Sequence, residues 1–270
     1  GPAAPPRFEV VLKPRVGADG EVAAIAVDSV IYGALQADAD RLSLTAPVVY
    51  AGAYGIADRV QELTVTDASG RVPLALQDDP PNPGGFPWFR HWRAARELEF
   101  PVRVSYRVEV EPATAQRGPP FNIKPSRGGV SGAGSGFLVI PENTTSELSR
   151  VRWDLSAFGQ AAAGLSSFGE GEFELAGPPS ALWQGWYMAG PVGRFPATGD
   201  AAGFSAAWLG DFPFDPLAEM EFVAAGYAWL ADYFGYLAPP PRYRVFMRVI
   251  DSPYPRFSGT ALENSFMLSG

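Results

Sequence analysis

Five groups of residues have types and spacings that could do chemistry. His91 is the only histidine and lies between Arg90 and Trp92, near Trp88 and Phe89. A lone imidazole can serve as general base, metal ligand or triad member. No motif supplies it with partners, so a packed or surface role is expected. The run Ser131-Gly132-Ala133-Gly134-Ser135-Gly136 is glycine-dense enough to cradle a phosphate, which requires a strand, a glycine loop and then a helix N-terminus. Here an apolar stretch of strand character, Phe137–Ile140, follows instead, and a structural turn is expected. The carboxylates Asp78-Asp79 sit in a proline-rich loop and read as solvated, while Glu170 and Glu172 flank Gly171 with no fold position to give the pair meaning. Trp183, Trp186 and Tyr187, with Trp208, Phe212 and Phe214 beyond, could form a sugar or peptide platform; the area these rings bury favours core or interface packing. Last comes Phe257-Ser258-Gly259-Thr260-Ala261-Leu262-Glu263-Asn264-Ser265-Phe266, a turn and a short strand bearing one acidic residue. Its plainest role is a surface strand with a solvated Glu263.

Composition narrows the chemistry. The 270 residues contain no cysteine, which removes disulfides, thiol nucleophiles and thiolate metal sites. A zinc site normally takes three or four ligands rich in His or Cys, so one histidine cannot build it here. Lys+Arg number 21 against 29 Asp+Glu, a net charge of −8, and the cations do not cluster; nucleic acid and anionic membrane surfaces are not expected partners. No run of about 18 apolar residues offers a membrane span. Hydrophobic residues make up 47% of the chain, enough for a substantial core. Gly1-Pro2 reads as the remnant of a cleaved tag. Asn143-Thr144-Thr145 matches a glycosylation sequon but carries no weight, because the Ala/Arg-rich usage, with Lys13 and Lys124 as the lysines, suggests a GC-rich bacterial genome. Compartment is left open, with periplasm or secretion ahead of cytoplasm.

The elements that must position these residues are mainly β. Val102–Glu111 alternates Val102, Val104, Tyr106, Val108 and Val110 with Arg103, Ser105, Arg107, Glu109 and Glu111, the period of a half-buried strand. Arg7–Lys13 alternates likewise. Further strands are expected at Val22–Val27, Leu42–Val49, Val60–Thr66, Val72–Gln77, Phe137–Ile140, Val151–Leu155, Glu172–Leu175 and Ala181–Met188. Alternation in the last of these would put Trp183 and Tyr187 on one face and Trp186 on the other. After about residue 200 the pattern changes. Phe204–Leu209 reads as a strand, Pro216–Phe234 as a helix capped by Asp215 and ended by Gly235 and Pro239-Pro240-Pro241, and Arg242–Ile250 as a strand with Arg242, Arg244, Phe246 and Arg248 on one side. The expected architecture is an antiparallel β-sandwich or curved-sheet domain over residues 1–200, followed over 201–270 by a β-α-β opening.

Set on these elements, Thr260-Ala261-Leu262-Glu263-Asn264 resembles the G-x-M-E-N segment of the gluzincin aminopeptidases, which precedes their zinc motif H-E-x-x-H. Upstream, Arg152-Trp153-Asp154-Leu155 and Ser166-Ser167-Phe168-Gly169-Glu170-Gly171 are similar to segments of the glycyl aminopeptidase branch. Ala181–Gly190 resembles the final strand of that branch's β-domain. The resemblance implies that residues 201–270 begin a thermolysin-like α+β domain. It also implies that Glu263 anchors the free α-amine of a peptide and that Thr260, Ala261 and Asn264 line it as an added edge strand. Thr260 departs from the family's glycine. H-E-x-x-H is absent from this sequence, so no cofactor is expected in the chain itself, and zinc only with a downstream catalytic half. That half, a peptide with a free N-terminus and a second copy of the chain are the expected partners. Surface that would face the missing half is expected to be apolar around Phe246, Phe257, Phe266 and Met267 and to promote self-association. Two other functions fit: a non-enzymatic peptide- or protein-binding scaffold, and a carbohydrate-binding sandwich built on the tryptophans.

Overall fold

Alternating Val, Leu and Phe residues build the first two sheets, and the computed structural model describes residues 1–111, 121–159, 161–233, 242–250 and 258–270. A seven-stranded sheet runs in the spatial order Phe173–Ala176, Leu148–Trp153, Arg7–Val16, Val22–Ile31, Val102–Glu109, Val60–Asp67, Gly70–Val72. All its neighbours are antiparallel except Arg7–Val16 with Leu148–Trp153. A second sheet orders Ile140–Pro141, Ser43–Tyr50, Trp88–Ala94 and Leu74–Asp78. Their inward side chains, among them Phe8, Leu12, Val27, Leu44, Trp92 and Val104, share one core. This is the expected mainly-β architecture.

The expected strand Val72–Gln77 is two strands that belong to different sheets, divided at Pro73, which cannot donate to a continuing ladder. Trp88–Ala94 is a strand that its run of aromatic and charged residues conceals. Only Ile140 of Phe137–Ile140 is in a strand. The glycine run is not an open turn: Gly129–Ala133 is a buried strand, and Gly134–Gly136 a buried 3-10 turn. Ala181–Met188 is likewise not one strand. Pro179–Gln184 forms a 3-10 helix, the strand is Trp186–Gly190, and Trp183, Trp186 and Tyr187 are all buried, so they form no platform.

A third sheet orders Lys124–Ser126, Gly129–Ala133, Trp186–Gly190, Ala163–Ser166 and Gly169–Glu170. It joins the sandwich to the fourth, whose order is Gly193–Phe195, Phe204–Leu209, Tyr243–Arg248, Ser265–Ser269 and Ser258–Leu262. Phe204–Leu209 and Tyr243–Arg248 are parallel, joined through helix α1, Pro216–Tyr233. This is the expected β-α-β. The Asp215 carboxylate accepts from the Leu217 and Ala218 N–H groups at 3.0 and 3.4 Å, capping two donors that the first helical turn leaves unpaired. Met220 and Ala224 pack with Phe204, Ala206 and Met247 of the sheet. The opposite side of α1 carries Phe222 and Trp229, 78% and 63% exposed. The helix end at Phe234, Gly235 and the proline run lies outside the described residues, as does Phe257.

Tyr243–Arg248 is the expected strand, but the side that carries its arginines is not wet. Arg248 and Phe246 are fully buried and Arg244 is half-buried, because this face lies against the third sheet. Arg248 donates to the Ser131 carbonyl at 2.7 Å, the Ser131 hydroxyl at 3.2 Å and the Ser269 hydroxyl at 3.0 Å. Burial pulls its pKa down to about 10 against the attraction of Glu111. Met267 is also buried and Phe266 half-buried, so the expected apolar surface is not found around Phe246 and Met267; among the described residues most of the exposed large apolar side chains are on α1.

Candidate functional site: an acidic hairpin tip on a sheet edge

The four residues that the sequence singles out lie on one hairpin. Ser258–Leu262 pairs antiparallel with Ser265–Ser269, Thr260 opposite Met267 and Ala261 opposite Phe266. The connection is Glu263-Asn264, with Asn264 in the left-handed region at φ 46°, a conformation asparagine tolerates better than most residues. Ser258–Leu262 ends the sheet order, so among the described residues no strand takes one edge of its backbone, the side an added strand would pair with. Thr260 is half-buried; Ala261, Glu263 and Asn264 are exposed. Gly259 makes room for the Phe266 ring: a Cβ there would meet the ring at 2.0 Å.

The tip is fixed from behind by the third sheet and the 3-10 helix. The Glu263 N–H donates to the Gln184 carbonyl at 3.2 Å. The Ser265 hydroxyl lies 2.8 Å from the Glu263 carbonyl and 2.6 Å from the Ser167 hydroxyl. Ser167 in turn accepts the Trp186 N–H at 2.8 Å, and Asn264 accepts from the Arg244 N–H at 3.1 Å. Three separate stretches of the family resemblance therefore meet: Ser166–Phe168, Gln184–Trp186 and Thr260–Asn264. The fourth supports them, since the Trp153 ring covers Gly164, where a Cβ would come within 2.5 Å of it. Ser265 and Gln184 lie in or beside the resembling stretches, but their role in holding the tip shows only once the hairpin is placed against Ser167 and Trp186.

The other candidates lie elsewhere. His91, on the second sheet, bonds Glu142 through Nδ1 at 2.7 Å and Asp79 through Nε2 at 2.9 Å. A carboxylate on each nitrogen favours the imidazolium, the form in which both ring N–H groups donate. Burial opposes that charge, but the hydrogen bonds and charges of Glu142 and Asp79 outweigh it and raise the pKa above the ordinary imidazole value. Ser43 donates to Glu142 rather than to the ring, and among the described residues His91 forms no nucleophile–base pair. Asp78 pairs with Arg90 at 2.7 Å and Glu170 with Arg194 at 2.9 Å. Among the described residues no three His, Cys, Asp or Glu side chains are grouped to hold a metal ion. They do not fit a zinc site, and no metal step is derived from them. No described helix is long and apolar enough to cross a membrane.

The fold and site together define a mainly-β protein in which a short β-α-β sheet presents an acidic hairpin tip at its edge. This is the fold found in an aminopeptidase N family protein from Idiomarina loihiensis, which superposes with a TM-score of 0.66 at 16% identity over 97% of this chain and 42% of that one. The chain thus spans less than half the length of that protein. Leukotriene A4 hydrolase from Saccharomyces cerevisiae superposes more loosely, with a TM-score of 0.47 at 13% identity over 98% of this chain and 40% of its own. The yeast enzyme in complex with bestatin gives a TM-score of 0.49 at 11% identity, over 98% and 40%. No family model and no curated protein sequence matches the chain. The fold that the sequence resemblance implies is the fold observed.

Proposed function

We propose that this chain is the substrate-orienting portion of a zinc aminopeptidase-like hydrolase, with residues 1–200 as the β-rich domain and 201–270 opening the catalytic one. Glu263 binds the free α-amine of a peptide. Thr260, Ala261 and Asn264 border the peptide as it pairs along the open edge of Ser258–Leu262. Zinc and its activated water belong to residues beyond this chain. The observation that carries the reading is the fixed hairpin tip: an exposed carboxylate at the end of an open strand edge, held by Gln184 and Ser167. A carboxylate beside a backbone ladder suits an extended peptide with a cationic end.

The test uses the protein as encoded, with whatever follows residue 270, carrying Glu263→Ala. On an aminoacyl nitroanilide kcat/KM should fall by about 10²-fold, the scale of a lost charge-assisted contact in the transition state. The activity left should no longer discriminate against the N-acetylated substrate. An unchanged kcat/KM on the free amine would sink the assignment. Thr260, standing where the aminopeptidase segment has glycine, favours a second reading, a scaffold that binds peptides without cleaving them. Peptide binding by the encoded protein that Glu263→Ala abolishes, with no zinc-dependent hydrolysis, would decide for it.

A further inference from the structure

Beside the hairpin tip, on the side lined by Asn264, a cleft of about 190 Å³ opens between the turn Ser167–Glu170, the Asp200–Ser205 segment and the start of Tyr243–Arg248. Arg244 lies in its wall. Its Nε donates to the Ser205 hydroxyl at 2.9 Å and its Nη1 to the Ser166 carbonyl at 2.7 Å. Both acceptors are neutral, and Arg244 makes no ion pair among the described residues. The other charges around it are matched: Glu170 with Arg194 at 2.9 Å and Asp200 with Arg242 at 3.8 Å. Three arginines against two carboxylates leave one positive charge in excess, and it belongs to Arg244.

A guanidinium has five N–H donors in one plane. Two are used here to fix the group, and three have no protein partner among the described residues. An arginine held rigid by neutral acceptors and facing a small cleft is preorganised for a planar oxoanion, which takes two parallel N–H groups at once. We propose that the cleft binds a small carboxylate monoanion on Arg244. Glu170 and Asp200 in the same cleft select against a dianion such as phosphate, because only one positive charge is in excess. The site does not depend on the aminopeptidase reading, since neither Glu263 nor any metal takes part.

The encoded protein is titrated at constant ionic strength with N-acetylglycine, with its neutral amide and with inorganic phosphate. The arginine Nε–H resonance that disappears in Arg244→Lys reports on the cleft. N-acetylglycine should shift that resonance saturably and the neutral amide should not. Arg244→Lys, which keeps the charge but loses the fork, should weaken binding about tenfold. Ser205→Ala, which keeps the arginine and frees its Nε, should weaken it about threefold, and it decides the matter if the lysine variant does not fold. Equal responses to the acid and its amide, an unmoved Arg244 signal, unchanged affinity in Ser205→Ala, or tighter binding of phosphate would each overturn the proposal.

Discussion

At the scale of single residues, position rather than type separates the carboxylates that do local work from the one we propose for a ligand. Asp67 receives two N–H groups of Arg96, at 2.8 and 2.9 Å, and the Glu99 N–H at 2.9 Å, and these hold its carboxyl well below the usual range. Asp79 and Glu142 are taken up by His91. Glu263 has its backbone tied and its side chain exposed. His91 gives a clean pH test, because with one histidine and no cysteine it is the side chain whose ordinary pKa lies between pH 5 and 8. Its folded-state pKa is raised, so the clamp stabilises fully below the ordinary imidazole pKa, and that contribution is lost as pH climbs through the raised value. A melting series from pH 5.5 to 8.5 should show the wild type losing about 2–4 °C relative to His91→Gln, the scale of a partly exposed ion pair in a domain of this size. Parallel curves for the two proteins would remove His91 from the account.

At the scale of elements, the glycine run is a packing device. A Cβ on Gly134 would sit 2.1 Å from the Leu182 carbonyl oxygen and one on Gly136 2.2 Å from that of Phe121; both neighbours are backbone and cannot swing aside. Gly134→Ala should cost at least about 2 kcal/mol in urea unfolding. Gly226 on α1 has nothing within 4 Å of its missing Cβ, and Gly226→Ala should stabilise by about 0.5–1 kcal/mol. If both variants move in the same direction, backbone contact at Gly134 is not the reason for its glycine. The same contrast explains what could be read from sequence. Strands with one wet face, such as Val102–Glu109, announce themselves through alternation, and α1 through its period and its Asp215 cap. Trp88–Ala94 does not, because Arg90 and His91 are satisfied by Asp78, Asp79 and Glu142 within the protein; Tyr243–Arg248 is legible as a strand, but nothing in its pattern shows that Arg248 is buried. The motif located the hairpin, but Gln184 holds it through a backbone carbonyl that any residue could supply, and Ser265 through a hydroxyl whose partner, Ser167, is distant in sequence.

At the scale of the whole molecule, exposed apolar area among the described residues is concentrated on α1, a surface suited to self-association. Phe222, Val223, Trp229 and Leu230 on α1 are all at least 40% exposed, and the helix carries no basic residue. In sedimentation the 270-residue chain should show concentration-dependent association, which Phe222→Glu combined with Trp229→Glu should reduce; a wild type that stays monomeric at high concentration overturns this. The bond from Glu263 N–H to Gln184 sets a limit of a different kind. Because the 3-10 helix and Ser167 dictate where the acidic tip stands, the β-rich region is a jig for the last sheet, and grafting that sheet onto a foreign partner would carry the Glu263 motif across intact yet misaim it. Any lineage that reshuffled these parts would have had to inherit Pro179–Gln184 and the hairpin together, or rebuild the alignment from nothing.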